Sequence, residues 1–244
     1  LAFLSTRGQH SSFLCDIPVC TVMRYPSMCP ALFLERLNRF TARIQIEDQI
    51  HLAHVKNTGR LRELLLPHAP VYVQHCDSPM RKTAYDLISV CRQDGSWVNI
   101  DSQAPNAVLA EFLPPLFPDQ EIRPEYTWKD SRFDFKVGAR VLIEAKGVTL
   151  LGEDGIARFP DAPTDRGIKH LQGLIQAKEE GWEPYLIFIL AMKGARGLSP
   201  NDMTHPQFGK TLRRAAESGV HILAFDCLVS PDSLIIDQAV PVLL

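Results

Sequence analysis

Ser131-Arg-Phe-Asp-Phe-Lys-Val137 and Val141-Leu-Ile-Glu-Ala-Lys146, separated by Gly138-Ala-Arg140, are the runs from which the fold of this 244-residue chain is read. Apolar and polar residues alternate in both with a period of two, the signature of strands. Phe133, Phe135 and Val137 are expected to face one way and Arg132, Asp134 and Lys136 the other, while Val141, Ile143 and Ala145 alternate with Leu142, Glu144 and Lys146. With Gly138 at the tip of a short hairpin, Asp134 falls directly across from Glu144. Two carboxylates opposed across a strand pair repel. A hard cation such as Mg2+ or Mn2+, held through oxygen, offsets that repulsion. Lys146 follows on the same face as Glu144, placed to orient a water or to neutralise charge developing on a phosphoryl oxygen. The bland alternative is a solvated Glu-x-Lys face carrying an ion pair. The run to Leu151 is too apolar for an exposed edge, which predicts a central strand covered on both faces and favours a functional role for its charges.

Upstream, short β segments are expected over Arg39 to Ile46, His51 to Val55, Pro70 to Gln74, Thr83 to Arg92 and Trp97 to Ile100, separated by turn residues. That density of strands suits a small barrel of the oligonucleotide-binding (OB) type, with Phe40, Tyr72, Tyr85 and Trp97 as core aromatics or stacking platforms. Downstream the pattern predicts a helix over Asn106 to Leu116, capped by Asn106. Strands follow at Glu125 to Lys129 and at the two runs above. A second helix starts at a Thr164 or Asp165 cap and is closed by Gly181, ahead of a buried strand over Tyr185 to Met192. A third helix over Pro206 to Ser218, a strand from Val220 to Phe225 and a terminal pair near Leu234 to Leu243 complete an α/β sandwich around a mixed sheet. The expected organisation is therefore two domains: a barrel over residues 23–103 and an α/β domain over 104–244, with 1–22 as a non-native or disordered extension.

Composition sets bounds. Hydrophobic residues make up 45% of the chain, enough for ordinary packed cores, and no apolar run approaches the roughly 18 residues of a membrane span. The opening segment makes a poor signal peptide, and a cytoplasmic setting is expected. Six cysteines without Cys-x-x-Cys spacing read as reduced thiols. His51-Leu-Ala-His54 and His75-Cys-Asp77 lack the paired spacing of a structural zinc site. A net charge of −2 argues against non-specific wrapping of nucleic acid but leaves room for local basic patches. Arg36, Arg39 and Arg43 form one candidate, either as phosphate contacts or as a solvent-facing stripe.

Four segments carry a resemblance: His54-Val-Lys-Asn-Thr-Gly59, Ser131-Arg-Phe-Asp-Phe135, Ile143-Glu-Ala-Lys-Gly-Val-Thr-Leu150 and Phe159-Pro-Asp-Ala-Pro-Thr-Asp-Arg-Gly-Ile-Lys-His170. Together they resemble the sugar fermentation stimulation protein family, over about Leu32 to Leu244. The resemblance implies an OB-type domain followed by a domain like the PD-(D/E)xK nucleases, DNA binding, and a link to expression of sugar-utilisation genes. It sets Asp134, Glu144 and Lys146 on the acidic pair and lysine of that core, and Glu125 where the family has a further acidic residue, as an additional ligand or a group behind the ligands. On this reading Asp134, Glu144 and the Ala145 carbonyl hold Mg2+ or Mn2+, and Lys146 positions the attacking water. Asn57 and Thr58 fall to the domain junction or a nucleic-acid groove, or form only a tight turn. Arg166, Lys169 and His170, in the first turns of a helix, are phosphate contacts or parts of a well-capped surface helix.

The expected function is thus DNA binding coupled to Mg2+-dependent phosphodiester hydrolysis. The rival is a DNA-binding transcriptional regulator that keeps the nuclease-like fold and cuts nothing. RNA remains open as a substrate because phosphodiester chemistry alone does not distinguish the sugars. A homo-oligomer is compatible with either reading.

Overall fold

The computed structural model describes residues 22–77 and 80–244; the expectation for the opening segment falls on residues 1–21, outside them. In chain order the first elements are β1 (Met23–Arg24), β2 (Met28–Asn38), β3 (Thr41–Ile46), β4 (Gln49–His54), β5 (Pro70–His75), β6 (Tyr85–Cys91) and β7 (Trp97–Asn99). Strands β4-β3-β2-β5-β6 pair in that order, and a short parallel pairing of β4 with β6 closes them into a five-stranded OB barrel, with β7 added beside β6. Alternate residues such as Phe33, Ala42, Ile44, Val71 and Val73 fill its interior. Strand β2 has no counterpart among the expected segments, since Pro30 and the charges at Glu35 and Arg36 break its alternation.

The second half contains α1 (Ala104–Leu116), β8 (Ile122–Trp128), β9 (Ser131–Val137), β10 (Val141–Val148), β11 (Leu150–Leu151), β12 (Ile156–Phe159), α2 (Asp165–Glu179), β13 (Glu183–Leu190), β14 (Gly197–Pro200), α3 (Pro206–Glu217), β15 (His221–Ser230) and β16 (Ser233–Ala239). Its main sheet is mixed, in the order β1-β16-β15-β13-β10-β9-β8, with β10, β13 and β15 parallel to one another. Strand β10 is central, as its apolar character predicts. On one face Ile143 and Ala145 pack with Val108, Leu109 and Phe112 of α1, and on the other Leu142 packs with Leu171 and Leu174 of α2 and Phe208 of α3. A separate small sheet, β11-β12-β14, takes the end of the run that was expected to continue through Leu151 as one strand.

Three corrections bear on the site. First, Met23 and Arg24, expected to open the barrel, pair with Leu234 and Ser233 of β16, so the chain enters the α/β sheet before it builds the barrel. Second, α1 begins at Ala104, with Pro105 in its first turn where a missing N–H costs nothing, and Gln103 is its N-cap, so Asn106 is no cap. Third, Phe133 packs in the α2 cluster whereas Phe135 and Val137 pack in the α1 cluster. The change of side falls at Asp134, where both ladders lapse. Pairing with β10 stops at Phe135–Ile143, and in β8 the facing Glu125 adopts φ +53° and drops out of the pairing.

Candidate metal centre

Glu144 lies in the middle of β10, 1% exposed. Its Oε1 accepts hydrogen bonds from Lys146 Nζ and from His170 Nδ1, the latter on α2. Its Oε2 is buried with no hydrogen-bond partner. An unpartnered carboxylate oxygen in the interior carries a full desolvation penalty, and such an atom calls for a donor or an ion. Asp134 stands opposite on β9. Its Oδ1 accepts from Asn106 Nδ2 at 2.6 Å, and its Oδ2 accepts from the Ala145 N–H at 2.7 Å. Because the N–H and C=O of a strand residue share an edge, the Ala145 carbonyl also lies on the edge of β10 that faces Asp134, where the ladder has ended.

Packing of α1 on β10 brings Asn106 to this point. A Cβ on Gly147 would stand 2.6 Å from Pro105 Cγ, so the first turn of α1 can lie this close to β10 only over a glycine. The two carboxyls are driven apart in proton affinity. Burial pushes Asp134 up, the neighbouring Glu144 charge adds to this, and the Ala145 N–H, Lys146 and Asn106 pull it back only in part. Burial also acts to raise Glu144, but the hydrogen bond from His170 and the charge of Lys146 outweigh it, leaving that carboxyl below its ordinary value. The donor set of two carboxylates and a main-chain carbonyl suits a hard cation. Among the described residues no group of three or more His, Cys, Asp or Glu side chains gathers to hold a metal. With so few protein ligands, Mg2+ would keep part of its water shell.

The other expected residues scatter. Glu125 is exposed on the edge strand β8 and paired with Arg132 at 2.5 Å. Arg36 is neither a solvent-facing stripe nor free for phosphate, because its guanidinium donates to the carbonyls of Arg39, Asn57, Gly59 and Arg60. Arg43 pairs with Glu35, whereas Arg39 is exposed and lies 5.7 Å from the Phe40 ring centroid. Asn57 caps its own turn through Oδ1 and the Gly59 N–H, and Thr58 is exposed. That turn meets the other matched segment at Asp161, whose Oδ2 accepts from the Leu61 N–H at 3.1 Å. On α2, Thr164 is the N-cap and accepts from the Gly167 N–H, as expected. Arg166 and Lys169 are exposed there, but His170 is turned inward to Glu144 and is closed to a surface phosphate.

Asn106 and the inward role of His170 escape sequence reasoning. Neither has a local signal, since each acts on a residue 26 or more positions away. A second feature was also missed: a cleft of about 660 Å3 bordered by Phe40, His54, Lys56, Arg81, Lys82 and Gln103. Phe40 is half exposed and stacks on His54, while Tyr72 and Trp97 pack edge to face against each other and Tyr85 against His51 and His75. Lys56 and Arg81 are anchored by Asp86, and Lys56 also by Asp101 at 2.8 Å.

An OB barrel joined to a mixed-sheet α/β domain, with an Asp, a Glu and a Lys converging on adjoining strands of that sheet, defines the class of protein. Family models agree with both halves: residues 34–100 match the SfsA N-terminal OB domain, and residues 103–233 match the sugar fermentation stimulation protein RE domain. The chain belongs to the sugar fermentation stimulation protein (SfsA) family. A sugar fermentation stimulation protein homolog of Desulfitobacterium hafniense is 47% identical over 217 residues, covering 87% of this chain and 94% of that protein. One from Clostridium beijerinckii is 46% identical over 228 residues, covering 91% of this chain and all of that protein. The solved structure of Pyrococcus furiosus SfsA in complex with Ca2+ superposes with a TM-score of 0.81 at 26% identity, over 91% of this chain and 98% of that one. No described helix is long and apolar enough to cross a membrane.

Proposed function

We propose that the chain is a cytoplasmic Mg2+- or Mn2+-dependent phosphodiesterase acting on a DNA strand. The observation that carries the reading is the Oε2 of Glu144, buried without a partner next to Asp134 and Lys146. Asp134, Glu144 and the Ala145 carbonyl hold the ion. When bound, the ion supplies Lewis acidity toward a phosphoryl oxygen and acidifies a water. Lys146, anchored on the other oxygen of Glu144, keeps its ammonium group at the same place to stabilise charge developing on the phosphate. The relative from Pyrococcus was solved in complex with Ca2+, a hard divalent cation, which is in keeping with a cation-binding reading. On the barrel, the half-exposed Phe40 offers a stacking face, with Arg39 and Lys82 for the backbone, which suits a single strand. The four described cysteines are free thiols, in keeping with a reducing compartment.

A cleavage assay on single- and double-stranded DNA with Mg2+ or Mn2+ tests this. Wild type should cut, and Glu144→Ala should lose at least about a hundredfold in rate, in line with removal of a principal source of transition-state charge stabilisation. Equal activity in both proteins overturns the catalytic reading. The barrel cleft also favours a second reading, a DNA-binding regulator of sugar-utilisation genes that cuts nothing, since its aromatic and basic groups are independent of the acidic site. Sequence-selective binding at moderate salt without any product, in the presence of metal, would select that reading.

A further inference from the structure

We infer that His170 is the positioning residue of the acidic site, fixing which oxygen of Glu144 is left for the cation. The inference rests on the cation-binding reading above. His170 sits on α2, 7% exposed, with its ring edge-on to Phe133 at 6.3 Å between centroids, so packing leaves it little freedom to turn. Arg166, one helical turn earlier, points its Nε–H at His170 Nε2 from 3.4 Å. An arginine nitrogen can only donate, so Nε2 offers its lone pair and the ring carries its proton on Nδ1. That proton is directed at Glu144 Oε1.

Lys146 Nζ donates to the same oxygen. Two donors thus converge on Oε1 and no described group reaches Oε2. A lysine alone, on a flexible four-carbon stem, would let the carboxylate rotate with it. The imidazole, rigid and approaching from α2, removes that freedom and leaves Oε2 as the buried oxygen without a protein partner. Groups that orient a ligand in this way commonly change metal affinity by about 10- to 100-fold when removed.

The test is titration of Mn2+ against wild type and the variants Glu144→Ala, His170→Ala, His170→Asn and His170→Gln, without nucleic acid, following free Mn2+ by its EPR signal and folding by thermal melting. The Asn amide nitrogen occupies roughly the place of Nδ1, whereas that of Gln reaches to the place of Nε2. Affinity should weaken about tenfold or more in His170→Ala, recover most of that loss in His170→Asn, and stay weak in His170→Gln. Equal weakness of the Asn and Gln variants, or wild-type affinity in His170→Ala, overturns the positioning role. If His170→Ala does not fold, the Asn and Gln pair still decides, because both are amides of like polarity. Failure of the underlying reading looks different: Glu144→Ala would then bind Mn2+ exactly as the wild type does, and both proposals fall.

Discussion

Asp134 and Glu144 lie on adjoining strands, yet their surroundings drive their carboxyls in opposite directions. Glu144 has two cationic or polar donors on one oxygen and stays ionised. Asp134 is buried beside that fixed negative charge and holds its proton more tightly than an ordinary aspartate. The sign of the resulting pH dependence follows. In the metal-free protein the fold prefers protonated Asp134, so its contribution to stability is present at low pH and is lost as pH rises through its folded pKa; Glu144 contributes with the opposite sign. Protons and the cation compete for Asp134, so affinity for Mn2+ should fall as pH decreases, starting above the ordinary aspartate value of about 3.9. Titrations at a series of pH values between neutral and acid, with Asp134→Asn as the control, measure this. Affinity that holds level until pH drops below the ordinary aspartate range would contradict the account. The opposition of these two residues was legible from the alternation of the two runs and from Gly138 at the tip. Their unequal proton affinities were not, because they depend on His170 and Asn106, which reach the site only through tertiary packing.

Strand β10 is the element on which the site is built. Its Val141-Leu-Ile-Glu-Ala-Lys146 run is apolar enough to be recognised as central, and the sheet places it between parallel β13 and antiparallel β9 with helices on both faces. The same apolar run hides where the strand must end, so the break at Thr149 and the small sheet that follows were missed. Asn106 was read as a cap because an Asn ahead of an apolar run is a strong local signal. Pro105 and the preceding turn start the helix earlier and free that side chain for Asp134. Gly147 lets this happen. Gly147→Ala would press a methyl to 2.6 Å from the Pro105 ring, which has no flexible end to yield, so the first turn of α1 must move. The expected cost is about 1–3 kcal/mol by urea denaturation, typical of overpacking, together with weaker Mn2+ binding as Asn106 withdraws from Asp134. Unchanged stability and affinity would show that α1 does not hold the site.

At the scale of the whole molecule, the barrel is fixed to the α/β domain. One buried cluster runs from Phe33, Ile44 and Leu87 of the barrel to Leu171, Phe188 and Phe208. Main-chain and side-chain links add to it: Asn99 N–H to the Ala191 carbonyl at 2.9 Å, and Asp161 to the Leu61 N–H. A Cβ on Gly59 would stand 2.7 Å from Asp161 Oδ2, so the turn and the second domain meet at close range. Both segments stood out in the sequence, but that they touch each other was not legible, since 100 residues separate Leu61 from Asp161. The cleft beside Phe40 reaches Gln103, the N-cap of α1, and Asn106 in the first turn of the same helix holds Asp134. Two carboxylates sharing one divalent ion at the lapse between β9 and β10 is the claim on which the rest depends. Anomalous scattering from a crystal soaked in Mn2+ tests it most directly. The account predicts one peak bounded by Asp134, the Glu144 Oε2 and the Ala145 carbonyl, at about 2.0–2.3 Å from its oxygen ligands. A crystal that shows Mn2+ elsewhere, or none with both carboxyls engaged only by protein groups, would contradict it.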